Sequence, residues 1–133
     1  MPTILVIDDS PSALALAELI LAEDGHQVIP FLSAIEAMEL AARVPVDVIV
    51  TDLYMPEKDG LEVLQEVRKV CPKVPVIAVS GVRGVKNMLS AAKILGADCI
   101  LQKPYSKEQL LGSVAGVLGS SAKAELPALG GSA

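Results

Sequence analysis

The sequence predicts an α/β fold: a doubly wound parallel sheet with helices on both faces, three layers in the order α/β/α. Five short apolar runs, at 3–7, 27–31, 47–51, 75–79 and 98–102, alternate with helical patterns over 133 residues. Successive runs begin between about 20 and 28 residues apart, room for one helix and two short loops, the length of a right-handed βαβ unit. The runs are rich in Val and Ile and lack polar alternation, as expected of strands buried on both faces. Strict strand–helix alternation then implies a parallel sheet with five helices distributed over its two faces.

The elements follow in order. The first run ends at Asp8-Asp9, and Ser10-Pro11 supplies an N-cap with Pro at the first helical position. Gly25 closes that helix, and His26 at the helix-to-strand turn reads as turn packing. After the second run, Ser33-Ala34-Ile35-Glu36 fits the capping-box pattern and opens a second helix. The third run leads directly into Asp52, followed by a loop at Met55-Pro56. Asp59-Gly60 opens a third helix, with Asp59 as its N-cap, and the helix ends before Cys71-Pro72. The fourth run leads into Ser80-Gly81; Gly84 precedes a fourth helix and Gly96 stops it. The fifth run leads into Lys103-Pro104, and Ser106-Lys107-Glu108-Gln109 is a second capping-box pattern opening the last helix. Residues 1–119 are expected to form one domain. Residues 120–133, small and with a Gly-Gly pair, are expected to form a flexible tail, part of it an appended remnant.

Composition narrows the function classes. The apolar fraction is 52%, yet Phe31, Tyr54 and Tyr105 are the only aromatics, so the core must be aliphatic. With a net charge of −5 and no basic cluster longer than Arg68-Lys69, direct binding to nucleic acid or an anionic membrane is not expected. Cys71 and Cys99 stand in no metal-binding or redox pattern and read as reduced, packed thiols. The first apolar run breaks at Asp8-Asp9, unlike a signal peptide, and no run reaches the ~18 residues that span a bilayer. A soluble cytoplasmic protein is the expectation.

The polar residues that follow the runs form a pattern: Asp8-Asp9, Asp52, Ser80 and Lys103. In open α/β sheets, ligands bind beyond the carboxyl ends of the strands, at a topological switch point. If the first and third strands are neighbours, roughly 4.8 Å apart, the three acids converge. Three adjacent carboxylates repel one another and call for a cation. An all-oxygen donor set completed by water suits Mg²⁺. One Mg²⁺ and Lys103 would balance the three acids and accept an incoming phosphoryl group, with Ser80 donating a hydrogen bond. Asp52 is then the candidate nucleophile, forming an aspartyl phosphate.

Those residues carry a family likeness. With VIDDS at 6–10, TDLYMPEKDG at 51–60, SG at 80–81 and KP at 103–104, residues 3–119 resemble a receiver domain of two-component response regulators, the CheY-like superfamily. The resemblance implies the flavodoxin-like fold with strand order 2-1-3-4-5. It implies Asp52 as phosphoacceptor, Asp9 as direct Mg²⁺ ligand, Asp8 acting mainly through water, and the Tyr54 backbone carbonyl as a further ligand. Ser80 resembles the switch hydroxyl, and Lys103 the phosphoryl contact, aimed by a cis bond to Pro104. Ile100 departs from the family, which often places an aromatic there. A rotamer flip of Tyr or Phe at that site therefore cannot carry the signal here.

The implied partners are a histidine kinase or phosphotransfer protein upstream and an output protein or domain downstream. The output would be reached through the fourth helix, fifth strand and fifth helix, a face that would also serve a homodimer. In this reading the chain is not an enzyme beyond its own phosphotransfer and dephosphorylation. One competing reading is a Mg²⁺-dependent phosphatase with an aspartyl-phosphate intermediate. Enzymes of the haloacid-dehalogenase type place an acid two residues after the nucleophile, where this chain has Tyr54. The other is a receiver-like binding module that works without phosphorylation, against which the complete Asp/Ser/Lys set argues.

Overall fold

The computed structural model describes residues 2–55, 58–80 and 96–125, with the backbone alone described for 54, 55, 58–61 and 120–125. Each apolar run forms a strand: β1 (Thr3–Ile7), β2 (Gln27–Phe31), β3 (Val48–Asp52), β4 (Val76–Ser80) and β5 (Cys99–Gln102). All pairings in this sheet are parallel, in the order β2-β1-β3-β4-β5. The predicted α/β fold and its strand order are therefore those of the protein. Pro30 lies in β2, an edge strand, where the missing N–H costs no ladder bond on the open side.

Strand boundaries differ by a residue from the sequence expectation, with a consequence for the site. β3 and β4 both begin one residue later, and both extend to include the polar residue that follows their apolar run. Asp52 pairs with Val79, and Ser80 with Gln102, so both are held in the ladder rather than in the loops beyond it.

Side-chain alternation sorts the strands into two cores. Leu5, Ile7, Ile49, Val76 and Ala78 face one way, packing with Ala37 and Met38 of α2 (Ala34–Ala41) and with Val63, Leu64 and Val67 of α3 (Gly60–Val70). Ile4, Val6, Val48, Val50, Ile77, Val79 and Leu101 face the other way. They meet Leu14, Ala17, Ile20 and Leu21 of α1 (Pro11–Glu23), and Leu110, Val114 and Val117 of the C-terminal helix (Lys107–Glu125). Nearly every strand position is apolar because both faces are covered.

Local signals were read with mixed success. Ser10 caps α1, its hydroxyl accepting from the Ala13 amide at 3.4 Å, with Pro11 at the first helical position. At the C-terminal helix the capping box is reciprocal: Gln109 N–H donates to Ser106 Oγ at 3.1 Å, and Ser106 N–H to Gln109 Oε1 at 2.8 Å. Ser33 departs from the pattern. It sits at the N-cap of α2 with extended backbone, but its side chain makes no capping bond. α2 is instead held by Ala34, Ala37, Met38 and Ala41, all buried. Asp59 immediately precedes α3, at the expected N-cap position, and Lys58–Asp59 also pairs antiparallel with Tyr54–Met55 in a short ribbon.

Gly25 closes α1 at φ 89°. The side chain of His26 is 11% exposed, packed at the turn with Nε2 3.3 Å from the Asp24 carboxylate. The C-terminal helix runs to Glu125, past Gly119, so residues 120–125 of the expected tail are helical. The predicted fourth helix falls on residues 81–95, and Pro56 and the final residues 126–133 likewise lie outside the described residues. Among the described residues no helix is long and apolar enough to cross a membrane.

Candidate functional site

β1 and β3 are adjacent and in register, with Ile7 opposite Thr51. Their next residues, Asp8 and Asp52, therefore emerge side by side. Both have the alternation parity of Ile4, Val6, Val48 and Val50, so both belong to the face covered by α1 and the C-terminal helix. Each is 5% exposed, while Asp9, one residue on, is more open to solvent. Carboxylate oxygens of Asp8, Asp9 and Asp52 all lie within 4.8 Å of one another.

Such a cluster is tolerable only if something offsets the repulsion, and part of the answer is Lys103. Its Nζ donates to Asp8 Oδ2 at 2.8 Å and to Asp52 Oδ2 at 3.1 Å. The other oxygen of Asp8 accepts the Ser10 amide at 3.0 Å, tying the acid to the start of α1. Among the described residues, one ammonium stands against the three carboxylates. Burial alone would lower the pKa of Lys103. The hydrogen bond to Asp8 and the charge and hydrogen bond of Asp52 outweigh that penalty and hold it above the ordinary lysine value. Lys103 thus carries its charge in this site at neutral pH.

Lys103 arrives by the same logic. It follows β5, which pairs with β4, and its amide donates to the Ser80 carbonyl at 2.7 Å. The Lys103–Pro104 peptide bond is cis. Ser80 is 2% exposed and ends β4. Ile100 of β5 is half-buried and packs with the α2–α3 core. Tyr54 begins the short ribbon two residues after Asp52. Burial raises the phenol of Tyr105 against the pull of Lys103, so its hydroxyl is neutral.

The structure thus brings Asp8, Asp9, Asp52 and Lys103 into one cluster and sets the Ser80 backbone against Lys103. The sequence reading missed an apolar groove of 390 Å³ beside the cluster, lined by Ala13, Leu16, Lys103, Pro104 and Tyr105. The signal lay in α1, where Leu16 and Leu19 fall on the outward face, 54% and 57% exposed.

Comparison with known proteins agrees with the fold. Residues 4–115 match the family described as response regulator receiver domain. The transcriptional regulatory protein GlrR of Escherichia coli K12 is 32% identical over 121 residues, covering 91% of this chain but 27% of that protein. Protein PilG of Pseudomonas aeruginosa is 32% identical over 113 residues, covering 84% of this chain and 83% of its own length. Among solved structures, a receiver domain protein from Clostridium thermocellum superposes with a TM-score of 0.83 at 29% identity, covering 92% of this chain and 98% of that one. The beryllofluoride-activated NtrC4 receiver domain dimer gives 0.84 at 28% identity, covering 90% and 98%. The chain thus spans about a quarter of GlrR, and under half of the ycf27 regulator of Porphyridium aerugineum.

Proposed function

The chain belongs to the response regulator receiver domain family, and we propose that it takes a phosphoryl group from a phosphohistidine onto Asp52. The observation that carries this reading is the buried Asp52 carboxylate, paired with Lys103 inside a three-acid cluster at the carboxyl ends of the strands. In the transfer, an Asp52 oxygen attacks phosphorus and an O–P bond forms. The donor's P–N bond breaks, and its electron pair stays on the imidazole nitrogen. Lys103 neutralises charge on the transferring oxygens, and Ser80 donates a hydrogen bond once the group is in place.

The donor set of Asp8, Asp9 and Asp52 is all oxygen and excess-negative, which fits Mg²⁺. Asp9 and Asp52, with the Tyr54 carbonyl, would hold the ion and Asp8 would act mainly through water. When bound, the ion supplies charge neutralisation for the phosphoryl oxygens. The groove along Ala13, Leu16, Pro104 and Tyr105 gives a histidine kinase or phosphotransfer protein an apolar footing beside the reactive acid. The output partner, or a second copy of the chain, is assigned to the face containing β5 and the C-terminal helix. The dimeric NtrC4 receiver lends support to the second of these. The cytoplasm is the compartment in which such donors and partners meet this chain.

The test is incubation with Mg²⁺ and acetyl phosphate, read by intact mass. One acid-stable, alkali-labile phosphoryl group is expected, absent in Asp52→Asn and in excess chelator. Failure of the native chain to accept a phosphoryl group from acetyl phosphate or a kinase would sink the reading. Sustained turnover of phosphate esters would favour the phosphatase instead.

A further inference from the structure

The opposite end of β5 carries a second polar cluster, which the chemistry above does not use. Arg68, on the last turn of α3, donates through Nε to the Gly96 carbonyl at 3.0 Å and through Nη1 to the Val74 carbonyl at 2.7 Å. Nη1 also reaches the carbonyls of Pro72 at 3.3 Å and Cys71 at 3.5 Å. Nη2 donates to the Gly96 carbonyl and, at 2.8 Å, to Asp98 Oδ2. Gly96 has φ 109°, and a Cβ there would lie 2.8 Å from Arg68 Nε, so this position needs glycine twice over.

Asp98 completes the arrangement. Its Oδ2 accepts the Val76 amide at 2.8 Å, and its own amide donates to the Val76 carbonyl at 2.8 Å. Both backbone polar groups of Val76 are therefore committed to Asp98. The pair Val76–Asp98 stands one step before Ile77–Cys99, the first partners of the β4–β5 ladder, in the same register. β5 is an edge strand of four residues with a single neighbour, so fewer ladder bonds hold its register than hold that of β1, β3 or β4. A slip of one residue would turn every β5 side chain to the other face and put Gln102 or Pro104 where Lys103 now meets Asp8 and Asp52.

We propose that Arg68 and Asp98 form a register staple for β5 and act as positioning residues for Lys103 at the strand's far end. The staple is two-point: Asp98 fixes β5 against β4, and the guanidinium of Arg68 fixes Asp98 and Gly96 against α3. The consequence for phosphotransfer rests on the role given to Lys103 above. The register itself does not.

The experiment measures phosphorylation of the full chain by acetyl phosphate at saturating Mg²⁺, well below each variant's melting temperature. Arg68→Ala and the milder Asp98→Asn are each expected to slow it by about tenfold to 100-fold, the scale of a small misplacement of a reacting group. Arg68→Lys should recover part of the rate. In a Lys103→Ala background the same changes should cost less than about twofold, because the residue they position is gone. Amide hydrogen exchange over 99–103 should quicken in Asp98→Asn while β1 and β3 stay protected. Native rates in both variants, equal losses in both backgrounds, or unchanged protection of β5 would each overturn the staple. If Lys103→Ala alone is as fast as the native chain, the role given to Lys103 falls, and the exchange of β5 still decides the register.

Discussion

The two ends of β5 hold a cation and acids in opposite balance. At the carboxyl end, three carboxylates cluster, two of them, the almost wholly buried Asp8 and Asp52, sharing the ammonium of Lys103. At the amino end, one guanidinium meets one carboxylate and four backbone carbonyls, with side chains 23% and 48% exposed. The second cluster is satisfied within the chain and can only lose by substitution. Among the described residues the first sets three acids against one ammonium, and so can gain by substitution or by taking up a cation. The strand that presents the lysine to those acids at one end is tied by a fully paired cluster at the other.

The largest stability effect should come from the satisfied end. Arg68→Ala strips Asp98 of its cation, leaving it the Val76 amide, and takes the guanidinium from several carbonyls; a loss of about 2–3 kcal/mol in urea unfolding is expected. A loss under about 0.5 kcal/mol would erase the distinction between the two ends.

The frustrated end should respond with the opposite sign. Asp9→Asn removes the most open member of the acid cluster, and a gain of about 1 kcal/mol is expected in metal-free buffer. The same variant should lose the stabilisation that Mg²⁺ gives the native chain, measured as a shift in melting temperature. Destabilisation without metal would mean that the acids do not strain the fold.

Titration of Lys103 sharpens the contrast. Its folded pKa lies above the ordinary 10.5, so its ion bridges contribute fully below that value and are lost as pH rises through the raised one. The stability difference between the native chain and Lys103→Met should be flat from about pH 7 to about pH 10 and shrink above that. A difference that already falls near neutrality would place the folded pKa on the wrong side of the ordinary one.

The smallest effect separates two matching sequence motifs. Ser106→Ala should cost about 1 kcal/mol, because both halves of its capping box are made. Ser33→Ala, with no capping bond to lose, should stay within about 0.5 kcal/mol. Equal costs would mean that both serines cap in solution.

Much of the fold was legible because it is written at short range. Apolar runs long enough for one strand, spaced by one helix, left little choice but a parallel sheet, and the polar residues after the first, third and fifth runs marked where the acid–lysine cluster would gather. Ser10-Pro11 and Ser106 with Gln109 worked as signals because their partners lie within three residues. Ser33 has the same letters but a helix secured by Ala37 and Met38 instead, and packing does not need the cap.

The remainder depended on residues far apart along the chain. Lys103 stands 95 positions from Asp8 and 51 from Asp52, and no local pattern says which acids share its ammonium. Arg68 read as half of a short basic pair, yet its partners Gly96 and Asp98 lie 28 and 30 positions away. The sequence by itself determined which residues would be buried, where strands would end and which reactive types would stand there. The tertiary structure alone decided who pairs with whom, because strand register and helix docking bring together groups whose separation along the chain carries no information about their separation in space.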